Sequence, residues 1–347
     1  MVHPELIGFG PFFSSQLSLE ELQSSLVGRA VADRGRSLLV RFPDGAHPVV
    51  VPGRLRAEGI LPVVGDFVVA SPDRTVTRVL ERRTWLSRNV AGGAIAEQVL
   101  AANVDVVFVV QGLDEGPNPR RLERTLAAVH AGGAEPVIVL TKPDRAGDLA
   151  AALAEARAAA PAVEVEVASG LTGEGIAALA ARLRPDRTGV LVGPSGAGKS
   201  TLTNALLGHE AQRTAPVRAS DDRGLHTTSG RELFPLPGGG ALVDGPGIRE
   251  LRLWDAGGLE ATFEDLAALA ASCRFRDCSH GTEPGCAVRE AIAEGRIDVA
   301  RVESHRKLAL ELARQAERRE GGAARAERER WKAVSKEQRR LSRERWR

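Results

Sequence analysis

Eight residues constrain this chain more than any other feature. GPSGAGKS at 193–200 lies between the apolar run VLV and the helix-forming stretch TLTNALLG, and it fits the template G-x-x-x-x-G-K-[ST]. A strand, a glycine-rich turn and a helix must follow one another here. The glycines let the backbone curl until several N–H groups face inward, and the start of the helix adds the positive end of its dipole. Such a concavity suits phosphate oxygens. Gly193, Pro194, Ser195, Gly196, Ala197, Gly198, Lys199, Ser200 and Thr201 are the candidate cradle, with Lys199 placed for β- and γ-phosphates and the Ser200 hydroxyl for Mg2+. Domains of this kind usually begin near their phosphate loop, yet here 192 residues precede it.

Those residues fall into two textures. Residues 1–25 form a short preamble with a helix expected in SLEELQSSL. Short period-2 runs follow (LVGRAVADRG, SLLVRFPDG, HPVVVPGRL, VVGDFVVAS, VTRVLERRT), broken by Gly, Pro and Asp turns. They predict a small antiparallel β-barrel over 26–90; a five-stranded barrel of the oligonucleotide-binding kind fits the length, as do other small barrels. From 104 onward strand-like and helix-like segments alternate: VDVVFVVQG, RRLERTLAAVHAGG, PVIVLTKPD, LAAALAEARAAA, VEVEVAS, GIAALAARL, the phosphate-loop unit, and GALVDGPG. Alternation of this kind predicts a mostly parallel sheet covered by helices over 91–257, with ligands at the carboxyl ends of the strands. A mainly helical region, 258–347, follows and holds the cysteines.

Three further strand ends carry polar groups suited to a nucleotide. In LVDGPG (242–247), Asp244 stands where it could hold Mg2+ through water and Gly247 where its N–H could meet a γ-phosphate. In TKPD (141–144), Asp144 could accept from guanine N1–H and the exocyclic amine, while the stem of Lys142 lies along the base. Adenine offers an acceptor where guanine has N1–H, so the same carboxylate rejects it. VASGLTG (167–173) could supply backbone N–H groups to the guanine O6 at Ser169 or Gly170. Alone, LVDGPG also reads as a strand ending in a Gly-Pro turn and TKPD as a solvated strand-to-helix turn.

All three cysteines lie in CRFRDCSHGTEPGC, a C-x4-C-x-H-x5-C array of Cys273, Cys278, His280 and Cys286. Three thiolates and an imidazole close a tetrahedral shell and leave no position for catalytic water, the pattern of one structural Zn2+. An odd, local set of cysteines argues against a disulfide framework and for a reducing compartment. The chain opens with no charged-then-apolar leader and has no apolar run of the roughly 18 residues needed to span a bilayer, so a soluble cytoplasmic protein without membrane contact is expected. The net charge of +2 hides an uneven distribution, since residues 301–347 hold 16 basic and 8 acidic residues. That segment suits either contact with an anionic polymer or a solvated helix with i,i+4 pairs.

Together the nucleotide motifs resemble the fingerprints of translation-factor-type GTPases in rotated order, with TKPD and the Ser-Gly loop before the phosphate loop instead of after it. A permuted GTPase, an N-terminal small barrel and a Cys3His knuckle just after the second switch resemble the bacterial ribosome small-subunit-dependent GTPase family, RsgA, from about 26 to about 310. LHTTSGRELF, DGPGIREL and CRFRDCSHGTEPGCAV carry the resemblance most specifically. It implies a GTP hydrolase using Mg2+ and stimulated by the small (30S) ribosomal subunit. It also implies a late maturation factor that leaves on hydrolysis to GDP, with barrel and zinc region gripping ribosomal RNA. A monomer is expected.

The chain departs from the usual motifs at three places. Thr141 replaces the commoner Asn, which removes an amide from near guanine N7 and leaves selectivity to Asp144. Gly245 replaces Thr or Ser in the second switch, which is expected to loosen the turn. Ile248 stands where Ras-like enzymes carry a water-orienting Gln, so slow intrinsic turnover is expected. His226, which matches a family motif, could orient or deprotonate the water, or be a surface-loop histidine. Thr227 or Thr228 should complete the Mg2+ shell, with Thr228 favoured. Two other functions fit parts of the pattern: an RNA-binding module with a regulatory or degenerate nucleotide site, and a small-molecule kinase using the same loop.

Overall fold

The computed structural model describes residues 6–35, 37–89, 97–210, 230–245, 251 and 257–318. Its strands are β1 Leu26–Asp33, β2 Leu38–Phe42, β3 Gly45–Val49, β4 Phe67–Ala70, β5 Val76–Val79, β6 Trp85–Asn89, β7 Glu97–Ala102, β8 Val106–Gly112, β9 Glu135–Thr141, β10 Val165–Ala168, β11 Thr188–Val192, β12 Arg231–Pro235 and β13 Ala241–Asp244. Before them, the expected helix in SLEELQSSL runs from Leu19 to Ser24. Its start is fixed by a capping box, with Glu21 N donating to Ser18 Oγ and Ser18 N to the Glu21 carboxylate.

β1 to β5 pair antiparallel in the order β3-β2-β1-β4-β5. A parallel bridge between Val50 and Thr75 joins the two outer strands and closes the ring. Alternate residues point inward, so Ala30, Val40, Phe42, Val68, Ala70 and Val76 fill the interior. Leu55, from the helix Gly53–Ala57 between β3 and β4, plugs one end. Gly28 makes this possible: a Cβ there would lie 2.5 Å from the Val40 side chain and 2.6 Å from the Phe42 ring.

Five strands in the order β10-β9-β8-β11-β13 form a parallel sheet. In β8 the residues Val106 to Val110 are all fully buried, as expected of a strand covered on both faces. Its period-2 geometry sorts them: Val107 and Val109 pack on one side with Leu122, Leu126 and Val129 of the helix Pro119–Ala131. Val106, Phe108 and Val110 pack on the other, with Leu179 of the helix Ile176–Ala181 and Leu202 and Leu206 of the helix Lys199–Leu207. The chain leaves β8 towards β9 and β10 on one side and returns through β11 and β13 on the other. A crevice therefore opens between the carboxyl ends of β8 and β11, where loops diverge.

Two elements were not anticipated from pattern. β6 and β7 form a separate antiparallel hairpin, from Trp85 opposite Ala102 to Asn89 opposite Glu97, straddling the boundary expected at 90. β12 lies antiparallel between β13 and β1, pairing Ala32 with Glu232 and Asp33 with Arg231, so the barrel strand β1 continues the parallel sheet. Arg29 of β1, 2% exposed, sits under this junction. Its guanidinium donates to the carbonyls of Ile7 (2.7 Å), Gly65 (3.3 Å) and Asn103 (3.2 Å) and to Thr188 Oγ1 (2.9 Å), while burial pulls its pKa down to about 10.

The C-terminal residues form helices Gly257–Thr262, Glu264–Ala270, Ala287–Ala293 and 299–318 around a core of Leu259, Phe263, Leu266, Val288, Ile297 and Val302. This layer docks on the helix Pro119–Ala131. Gly258 allows the approach, because a Cβ there would lie 1.9 Å from the carbonyl oxygen of Ala127. Among the described residues no helix is long and apolar enough to cross a membrane.

Candidate nucleotide site and metal centre

The phosphate loop follows β11 directly and turns on three glycines with positive φ: Gly193 (145°), Gly196 (80°) and Gly198 (86°). A side chain at Gly193 would strike the carbonyl oxygen of Val110, 2.3 Å away, so the loop passes as close to β8 as backbone allows. Gly198 caps the helix Lys199–Leu207, whose first N–H groups have no partner within the helix. Lys199, 6% exposed, folds back over the loop, and its ammonium donates to the carbonyls of Gly193 (2.8 Å) and Pro194 (2.5 Å). A buried cation thus stands at the concavity beside a helix start, an arrangement that attracts polyanions. Ser200 and Thr201 open the helix and are half-buried.

TKPD ends β9 beside this loop. Thr141, 2% exposed, donates from Oγ1 to the carbonyl of Ala197 at 2.6 Å, with Gln111 O at 3.2 Å. The hydroxyl therefore ties the end of β9 to the phosphate loop. Lys142 adopts the left-handed conformation (φ 59°, ψ 53°), and its ammonium meets Asp114 Oδ2 at 2.5 Å. Asp144 lies in the middle of the single 3-10 turn Pro143–Arg145, its carboxylate 61% exposed and 3.9 Å from Arg145. The Ser-Gly loop closes on itself, with Ser169 N donating to Glu174 O (2.9 Å), Gly173 N to Ser169 O (2.9 Å) and Thr172 N to Ser169 Oγ (3.3 Å). Gly170 lies against the phosphate-loop helix, since a Cβ there would be 2.8 Å from the Thr201 carbonyl.

Asp244 ends β13, two strands from β8 across β11. Gly245 follows it directly, and the rest of that turn, where loosening was expected, lies outside the described residues. The φ of Gly245 is 150°, and a Cβ would lie 2.6 Å from Arg231 Cα and 2.9 Å from the Gly230 carbonyl oxygen, so Thr or Ser would not fit. Thr141 brings no amide to the site, as expected, and its hydroxyl supplies an inter-loop bond instead. His226, Thr227, Thr228, Gly247 and Ile248 lie outside the described residues, as does the tail beyond 318. Asp114 was missed by motif reading: it belongs to no short template, and only the pairing of β8 with β9 brings it to Lys142.

Cys273, Cys278, His280 and Cys286 converge, with all four ligand atoms within 4.8 Å of one another; among the described residues no other such group occurs. Cys273 Sγ is 3.9 Å from Cys286 Sγ, and His280 Nδ1 is 3.6 and 3.5 Å from these two sulfurs. A tetrahedral shell with metal–sulfur bonds of about 2.3 Å and metal–nitrogen of about 2.0 Å has edges of about 3.8 and 3.6 Å. The donors thus stand at coordination spacing, and the group can hold a metal ion. His280 sits at φ 58°, and the Glu283 carboxylate braces it by accepting from the N–H groups of Ser279 (3.0 Å) and Gly281 (2.8 Å) on either side.

Residues 79–254 match the family model described as RsgA GTPase. A protein of Opitutus terrae named "Small ribosomal subunit biogenesis GTPase RsgA" is 43% identical over 96% of this chain and 96% of its own length. A Methanosarcina acetivorans protein of the same name is 43% identical over 89% of this chain and 86% of its own. Among solved structures, YjeQ from Thermotoga maritima superimposes with a TM-score of 0.62 at 24% identity, covering 83% of this chain and 99% of that one. YloQ, described as a circularly permuted GTPase, gives 0.59 at 23%, covering 84% and 96%. The order of loops around the crevice, with TKPD on β9 and the Ser-Gly loop on β10 preceding the phosphate loop on β11, is that of a permuted GTPase sheet, and this chain, a GTP hydrolase, belongs to the RsgA GTPase family.

Proposed function

We propose that this chain acts in late maturation of the small ribosomal subunit, binding the 30S particle and its rRNA and hydrolysing GTP when so bound. One observation carries the reading: the loops that end β9, β10 and β11 pack against one another beside the buried Lys199, through the Thr141–Ala197 bond and the close approach of Gly170 to Thr201. In this reading residues 193–201 cradle the phosphates, Asp144 and the Ser169–Gly170 loop read the guanine edge, and Lys142 supports the base. Mg2+, held by Ser200, Asp244 and Thr228, would neutralise charge on the β- and γ-phosphates when bound. Gly247 donates to the γ-phosphate, and His226 orients or deprotonates the attacking water.

The ion of the Cys3His group is a single structural Zn2+, since four donors complete a tetrahedron and the helix Ala287–Ala293 starts at Cys286 itself. The closed order β3-β2-β1-β4-β5 of five strands supports reading this unit as an oligonucleotide-binding barrel. The barrel (26–90), the zinc and helical region (258–347) and its basic tail flank the GTPase region (91–257) as RNA-gripping appendages of a monomeric, cytoplasmic protein. The relatives, matched over most of their own length, are named for biogenesis of the small ribosomal subunit, which supports that particle as partner.

The test is GTP hydrolysis by the purified protein alone and with small or large ribosomal subunits, with ATP as control. Stimulation by small subunits with GTP only is expected, and His226→Ala should then abolish the stimulated rate while leaving GDP affinity intact. Equal turnover of ATP, or no response to small subunits, overturns the base or partner assignment respectively.

A further inference from the structure

Asp114 lies one turn beyond β8, inside the crevice but outside every motif. The N–H of Leu113 donates to the Thr141 carbonyl at 2.9 Å and holds the ends of β8 and β9 side by side. Asp114 Oδ2 then accepts from Lys142 Nζ at 2.5 Å, with Arg145 Nη1 3.9 Å from the same oxygen. The two paired side chains are 22% and 29% exposed, Lys142 and Asp114 respectively. Gly112 leaves them room: a Cβ there would lie 2.5 Å from Asp114 Oδ1 and 3.6 Å from both Lys142 Nζ and Ala197 Cα of the phosphate loop.

Lys142 is consequently held at both ends. Its backbone is set in the left-handed region by the turn, and its ammonium is set by Asp114, so the four-carbon stem is stretched between two fixed points. A lysine stem is otherwise flexible, and an incoming ligand would have to order it. The hydrogen bond from Lys142 holds the Asp114 carboxyl below the usual carboxylate range, so the carboxylate stays charged at neutral pH.

We propose that Asp114 is a positioning residue for guanine recognition, laying out the stem of Lys142 as the base platform before the nucleotide enters. The proposal rests on the reading of TKPD as the base-reading loop. Because the base is common to both nucleotides, loss of Asp114 should weaken GDP and GTP equally and act only through Lys142. A brace that merely joined β8 to β9 would lower stability and act independently of the ammonium.

The experiment is calorimetric titration of the full chain with GDP and with a non-hydrolysable GTP analogue, for wild type, Asp114→Ala, Asp114→Asn, Lys142→Met and the double variant Asp114→Ala/Lys142→Met, with melting temperatures alongside. Asp114→Ala should weaken both ligands by the same factor, about tenfold. Asp114→Asn, which keeps volume and an acceptor oxygen, should recover part of the loss, and Asp114→Ala should add nothing to Lys142→Met. Wild-type affinity in Asp114→Ala, additive losses in the double variant, or a fall in melting temperature with unchanged affinity overturns the proposal. If Asp114→Ala fails to fold, the ratio of GDP affinities between Asp114→Asn and wild type decides in its place. Failure of wild type to bind GDP overturns the reading of the site itself, a result distinct from wild type and Asp114→Ala binding alike.

Discussion

A single hydroxyl joins the two halves of the crevice. Thr141 Oγ1 is buried and donates at 2.6 Å to a carbonyl of the phosphate loop, so Thr141→Val, which keeps the volume, strands that carbonyl. A loss of about 1–2 kcal/mol in denaturant unfolding is expected, with weaker binding of GDP and GTP alike. Unchanged stability and affinity would assign the bond no role. Gly245 makes the opposite point, that an absent side chain is the requirement. Gly245→Ala must move Arg231 and abandon a φ of 150°, and we expect a loss of about 2 kcal/mol or more in the same assay. Wild-type stability in that variant would show that the contact of Gly245 with the start of β12 yields freely.

At the scale of elements, one arginine binds the C-terminal layer to the sheet-covering helices. Arg301, 6% exposed, donates to both oxygens of Asp265 (2.7 and 2.8 Å), to Glu123 Oε1 (3.1 Å), and to the carbonyls of Ala159 (2.6 Å) and Thr262 (2.9 Å), over the face of Phe263. Arg301→Met leaves the buried Glu123 and the half-buried Asp265 without their cation and should cost about 3–5 kcal/mol at neutral pH. Burial raises the pKa of Glu123 above its ordinary 4.5, although Ser304 and Arg301 pull the other way. The folded state therefore holds that proton more tightly than the unfolded chain. The Glu123 contribution favours folding at low pH and declines as pH rises from 4.5 through the folded-state value. Removing Arg301 raises that value further, so Arg301→Met should be less destabilising at pH 5 than at pH 7.5 in urea titrations. An equal cost at both pH values would mean that Glu123 does not govern the junction.

At the scale of the whole molecule, three bodies are tied by different means. β1 hydrogen-bonds to β12 and makes the barrel part of the central sheet, while the metal layer is attached through the core around Phe263 and through Arg301. Gly230 permits the first junction, since a Cβ there would lie 2.1 Å from the Asp33 carbonyl oxygen. It follows that stripping a metal ion from the Cys3His group should unravel the C-terminal layer without opening the sheet. After dialysis against a chelator, hydrogen exchange should accelerate across 264–293 and stay slow in β8 and β11, where Val106 to Val110 and Val190 to Val192 are apolar and buried. Simultaneous loss of protection in β8 would show a single cooperative unit instead.

Local chemistry determined much of this protein from its sequence by itself. Glycine spacing dictates a phosphate loop, alternation of apolar runs dictates a covered parallel sheet, and three cysteines within fourteen residues dictate a metal knuckle, because each depends on neighbours close along the chain. Tertiary structure alone decided the rest. β6, β7 and β12 have no distinguishing periodicity and become strands through partners far along the chain, and Asp114 meets Lys142 only because β8 and β9 run side by side. Gly245 reads in isolation as a loosened turn, but its φ and the closeness of Arg231 make it obligatory. Backbone proximity between distant segments is a property of packing, and no local pattern encodes it.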